Sequence, residues 1–177
     1  MLSQGIYNKM LSNKQKLKYY KNKEIAEETI LNDAAEDNHI IYGAKAINIQ
    51  LPSHLNRHTD DFDIFAKSPK KEAKETEKKL DRAYGGDLFY IEKAKYPNTW
   101  KVKNRVTKKT QADYTYPEQK VPYVEIGRNR YAKLSWIKKK IKSSLKNPNQ
   151  SFRFDKDSEA LQRIKLFERE KNFLLGE

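Results

Sequence analysis

The sequence predicts an α+β fold, a small mixed sheet flanked by helices, with further helices toward the N- and C-terminal ends. Three observations carry that prediction. Apolar residues recur at helical spacing near both ends of the chain. The middle holds short runs of β-branched and aromatic residues bounded by Gly, Pro and Asn. A length of 177 residues with 37% hydrophobic content supports one modest core, and hence one compact domain. The same pattern also allows an α/β sheet with antiparallel additions. Residues 1–36 are expected to form an N-terminal helical segment packed on the core, 37–130 the core itself, and 131–177 basic C-terminal helices.

Residues 4–36 read as helical through Ile6, Met10, Leu17, Tyr20, Ile25, Ile30 and Leu31, with no Pro and one early Gly. His39-Ile40-Ile41-Tyr42 is a short buried strand that stops at Gly43. Residues 44–51 make a short helix closed by Pro52, and 53–60 a polar loop. Phe62, Ile64 and Phe65 mark a second strand interleaved with Asp61 and Asp63. Ser68-Pro69 opens a helix, since Pro is accommodated in a first helical turn. Gly85-Gly86 suits a left-handed cap at its other end. Strands follow at 87–94, 99–106 and 111–116, separated by turns at Asn98 and at Thr107-Lys108-Lys109, with a further strand at 121–126 before Gly127. Residues 131–145 read as helical through Leu134, Ile137, Ile141 and Leu145. Asn147-Pro148 stops that helix, and 154–175 form the last one.

Composition narrows the function classes. No run of about 18 apolar residues is present, so no membrane span is expected, and the first residues lack the apolar stretch of a secretory signal. The absence of Cys excludes disulfides, cysteine zinc sites and thiol catalysis, and fits a reducing compartment. Lys and Arg number 37 against 24 Asp and Glu, a net charge of +13, whose usual partner is a polyanion. His54 and His58 are four apart but lack the third ligand and Glu of a zinc motif.

Residues 40–65, IIYGAKAINIQLPSHLNRHTDDFDIF, are the informative stretch. A strand ends at Gly43 and a short helix starts at once. Backbone N–H groups at such a junction point outward and can hold phosphate oxygens. Lys45 in that first turn adds a charge. Asp61 and Asp63 lie two apart on a strand, so both side chains leave the same face. Their mutual repulsion is relieved by a hard divalent cation with oxygen ligands, Mg2+ or Mn2+. Asp155 and Asp157 repeat the spacing but open a helix, where acidic residues simply favour the dipole.

This order of strand, Gly, short helix, Arg57/Thr59 loop and Asp-x-Asp resembles the DNA polymerase β-type nucleotidyltransferase superfamily. RHTDDFDIF is similar to the loop of minimal nucleotidyltransferases and large-virus poly(A) polymerases. The resemblance implies that Asp61 and Asp63 bind two metal ions, about 3.5–4 Å apart in such sites, with a third carboxylate on a later strand. Asp113 is the match for that position and Glu125 the reserve. It implies that Gly43, Ala44 and Lys45 grip the triphosphate, and that Thr59 belongs to the nucleotide loop. Arg57 either touches the triphosphate or braces its loop. Where the family carries Gly-Gly or Gly-Ser, this chain has Gly43-Ala44, which keeps the backbone donor and removes a hydroxyl contact.

Basic residues with aromatic neighbours are the composition of a single-strand binder. Lys101, Lys103 and Arg105, then Arg128, Arg130, Lys138, Lys139, Lys140 and Lys142, are the candidate nucleic-acid contacts, interleaved with Trp100, Tyr114, Tyr123 and Trp136. The apolar face of 137–142 is too short for a membrane surface. The expected activity is transfer of a nucleoside monophosphate from a nucleoside triphosphate to an RNA or DNA 3′ end, in the cytoplasm, a virus-infected cell included. The alternatives are a non-catalytic nucleic-acid-binding or structural protein on the same fold, and a toxin-like transferase acting on tRNA or protein.

Overall fold

The computed structural model describes residues 13–176. Helices α1 (Asn13–Lys21) and α2 (Lys23–Glu36) precede β1 (Ile40–Tyr42), α3 (Gly43–Gln50) and β2 (Phe62–Phe65). Helix α4 (Pro69–Tyr84) leads into β3 (Phe89–Lys93), β4 (Thr99–Asn104) and β5 (Thr110–Thr115). A hairpin of β6 (Tyr123–Ile126) and β7 (Asn129–Ala132) is followed by α5 (Leu134–Leu145) and α6 (Phe154–Leu175). The strands form one seven-stranded mixed sheet in the order β3-β4-β5-β2-β1-β7-β6. β2 runs parallel to β5 and β1 parallel to β7, while the remaining neighbours are antiparallel. The fold is therefore α+β with a mixed sheet, as the alternation of patterns predicts.

Strand periodicity sends Ile41, Ile64, Ala112 and Tyr114 to one face, where α2 and α4 cover them with Ile30, Ala34, Ala73, Leu80 and Tyr84. Buried Asp33 of α2 ties these two helices by accepting from Thr76 Oγ1 at 2.8 Å and pairing with Lys79 of α4. Gly85 caps α4 with φ +68°, the left-handed geometry that Gly85-Gly86 predicts. Helices α5 and α6 pack on each other and on α3. Among the described residues, no helix is long and apolar enough to cross a membrane.

Two expectations are corrected. The helix expected over 4–36 begins outside the described residues, as do Ile6 and Met10, and within them it breaks at Asn22. The Asn22 carbonyl accepts from the Tyr84 hydroxyl at 2.5 Å, a partner that only the folded chain supplies. The helix expected from 131 starts at Leu134 instead, because 129–132 is strand β7, which closes the hairpin at Gly127-Arg128 and pairs with β1.

Candidate active site

β1 and β2 are antiparallel with Tyr42 opposite Asp63, and β2 and β5 are parallel with Asp63 opposite Asp113. Alternation of side chains therefore sends Asp61, Asp63 and Asp113 out of the same face, away from α2 and α4. One carboxylate oxygen from each of the three lies within 4.8 Å of the other two. Gly43 closes the site from behind with φ +67°, and a Cβ built on it would fall well inside van der Waals contact with Asp63 Oδ2. Only glycine meets both demands, the left-handed backbone and the close approach. Helix α3 starts at that point, and the side chain of its N-cap residue, Tyr42, makes no capping hydrogen bond to it.

Burial and neighbouring like charges raise the pKa of a carboxyl. Burial, then the charges of Asp61 and Asp113, push the Asp63 carboxyl up to about 7, with Lys156 and Arg153 pulling the other way. Asp113 is raised mainly by burial and drawn back by Lys101, its cross-strand neighbour on β4. The Lys101 ammonium stands 3.9 Å from Asp113 Oδ1, an ion-pair distance too long for a hydrogen bond, and that buried oxygen has no hydrogen-bond partner. Thr59 Oγ1 donates to Asp61 Oδ1 at 3.2 Å and orients it. An unpartnered buried oxygen among three hard oxygen donors fits a divalent cation such as Mg2+ or Mn2+.

The remaining candidates fall in several places. Glu125 is exposed on β6 at the far edge of the sheet, paired with Arg130, so Asp113 alone joins the pair. Ala44 lies in the first turn of α3. The Lys45 ammonium turns aside, 4.6 Å from the Phe62 ring centre and 3.6 Å from Glu27. Arg57 braces the loop: its guanidinium pairs with Glu159 of α6 at 3.0 Å, and its backbone N–H donates to Asn48 Oδ1. Lys103 pairs with Glu92, Arg105 with Asp87 and Lys138 with Glu168, whereas Lys140 lies over Trp136. Arg128, Lys139 and Lys142 are exposed.

Several contributors were not singled out from sequence. Arg163 of α6 is buried and donates to Asn48 Oδ1 at 3.0 Å and to the Leu55 carbonyl at 3.2 Å, so it holds the loop that leads to Asp61. Its four-residue spacing from Glu159 was the only local sign, since that spacing puts acid and base on one helix face. The charges of Lys156 and Arg153, at the start of α6 next to the Asp155/Asp157 pair read as a dipole device, draw the Asp63 carboxyl back down. Asp157 is buried there and bonded to Ser144 and Arg153.

No protein-family model matches the chain, and no curated protein matches it. Among solved structures, the fold is similar to that of the Megavirus polyadenylate synthase, with a TM-score of 0.71 at 15% identity over 84% of this chain. This chain spans 32% of that protein's length. A weaker likeness, with a TM-score of 0.43 at 17% identity, is to JHP933 from Helicobacter pylori, covering 80% of this chain and 60% of that one. The chain thus has a nucleotidyltransferase-type fold.

Proposed function

We propose that this chain is a metal-dependent nucleotidyltransferase that moves a nucleoside monophosphate from a nucleoside triphosphate to an acceptor hydroxyl, with a nucleic-acid 3′ end as the acceptor. The observation that supports it is the convergence of Asp61, Asp63 and Asp113 at the Gly43 junction. In this reading 37–130 is the catalytic core, while 1–36 and 131–177 support it. Asp61, Asp63 and Asp113 would hold divalent metal, which would supply positive charge to offset that on the attacking oxygen and the departing pyrophosphate.

The chain's own groups do the rest. The first N–H groups of α3 after Gly43, which the Tyr42 side chain does not cap, receive triphosphate oxygens. Asp113, whose Oδ1 has no hydrogen-bond partner, takes the proton of the attacking hydroxyl. Thr59 holds Asp61 in place, and Arg57 with Arg163 fixes the loop that carries both. Lys156 and Arg153 offset the negative charge that gathers at the site.

Incubation with Mg2+ or Mn2+, each α-labelled triphosphate and a mixed RNA and DNA pool tests the proposal. Label joins the strand with the native chain, and Asp61→Asn abolishes the transfer. A second reading, a nucleic-acid-binding protein without catalysis, is favoured by Lys45 turning to Phe62 and Glu27, away from the phosphate junction. It prevails if no label moves and strand binding is indifferent to metal and to Asp61→Asn.

A further inference from the structure

The sheet has a second basic surface, on the face opposite the three carboxylates. Lys101 stands opposite Asp113 across β4 and β5, and Trp100 stands opposite Tyr114. Alternation therefore sends Trp100, Tyr114 and Tyr116 to the helix-covered face while the acids leave by the other. Where α4 begins, that face opens into a cavity of about 770 Å3. Lys67, Lys70, Lys71 and Lys74 line one wall, Trp100 and Tyr116 the other, and none of the nine lining residues is acidic.

Five of the basic residues named above are held by acids. Lys101, Lys103, Arg105, Arg130 and Lys138 each have an acidic partner within 4.0 Å. Lys71 has Glu75 3.9 Å away on its own helix. Lys70 leans over the Trp100 ring, 4.9 Å from its centre, and Tyr116 is 47% exposed. Ammonium groups beside aromatic rings match a strand whose bases are unstacked, with phosphates meeting the cations and bases lying on the rings. A duplex keeps its bases turned inward and offers nothing to the rings.

We propose that this groove binds single-stranded nucleic acid, with bases stacked on Trp100 and Tyr116 and phosphates on Lys67, Lys70, Lys71 and Lys74. The binding rests on these residues and not on the transfer reaction. In the reading above, the strand held here is the acceptor, anchored behind the sheet while its end reaches the carboxylates.

Trp100 reports on its own groove once Trp136→Phe removes the other tryptophan, a change that keeps a ring against Phe65. Titration of this variant with a U10 or dT10 oligonucleotide is expected to quench Trp100 fluorescence saturably, by RNA, DNA or both. Inorganic tripolyphosphate is expected not to reproduce the quench. Lys70→Gln with Lys74→Gln, both exposed positions, should weaken strand binding at least fivefold with the melting temperature unchanged, and should lower the salt slope by about 0.7 for each lysine removed. Asp63→Asn should leave the quench intact, so a chain that transfers no label but still quenches keeps the groove and loses only the reaction. Absence of quenching, a quench matched by tripolyphosphate alone, or native affinity in the double lysine variant would overturn the proposal.

Discussion

Gly43 does two things that one methyl group would undo. Its φ of +67° lies where an L side chain costs about 1–2 kcal/mol, and its missing Cβ leaves room for the Asp63 carboxylate. Asp63 in turn shares one cluster with Asp61 and Asp113, so any outward push on it opens the trio. Gly43→Ala should therefore damage the site more than the fold. The expected result is a melting temperature lowered by about 2–8 °C, together with loss of the rise that Mg2+ or Mn2+ gives the native chain. Thermal melts with and without metal check both parts. A variant that melts lower yet keeps its full metal-induced rise would show that Asp63 does not depend on the glycine.

At the scale of elements, two junctions hold the site's surroundings. The Asn48–Arg57–Glu159–Arg163 network pins the loop between α3 and β2 onto α6. Glu159→Ala strips the acid from Arg57 and from the buried Arg163, so a loss of about 1–3 kcal/mol is expected in urea unfolding, with the loop loosened ahead of Asp61. A change below a few tenths of a kcal/mol would show that Asn48 and Leu55 suffice for Arg163. The second junction is the turn from α4 to β3, where Asp81 Oδ1 accepts from the N–H groups of Leu88 at 2.8 Å and Phe89 at 3.0 Å. Burial pushes this carboxyl up to about 6 from its ordinary 3.8. The folded chain thus binds that proton more tightly than the unfolded one, and the contribution of Asp81 to stability falls as pH rises from about 4 to 6. Asp81→Asn keeps the acceptor without the charge. It should be neutral at pH 4 and stabilising by about 1–2 kcal/mol at pH 8, allowing for the part of Asp81 that faces water; equal stability at pH 8 would contradict this. Much of this architecture was legible because its signals are local. Gly43 after a short apolar run, Asp61 and Asp63 at strand spacing, and Pro69 with Gly85 around a helix need no distant partner to be read. Strand β7 was hidden because its parallel partner β1 lies far away in the chain, and because Tyr131 and Leu134 imitate helical spacing. The pairing of Arg57 with Glu159 was hidden because α6 lies far along the chain.

For the whole molecule, the question is whether the terminal helices are appendages or parts of one cooperative unit. The net charge of +13 opposes compaction, so the contacts that join the segments must outweigh it. They are spread over both faces. Tyr84 of α4 bonds to Asn22 and receives the Ala26 N–H, and Asn129 at the start of β7 donates to the Leu31 carbonyl at 2.8 Å. On the other side, Trp136 of α5 stands edge-on to Phe65 of β2, and Arg163 of α6 reaches the loop before Asp61. The N-terminal segment thus braces one face of the sheet that carries the carboxylates and the C-terminal segment the other, and melting either segment should melt the site. Far-UV circular dichroism, which follows helices and strands, and near-UV circular dichroism, dominated here by the tyrosines with Trp100 and Trp136, are expected to trace a single coincident thermal transition. Raising the salt from low to moderate concentration should shift both upward together, as self-repulsion is screened. Two separated transitions, the earlier losing helical signal while the Trp100 environment persists, would instead make α5 and α6 an attachment to a core that folds without them.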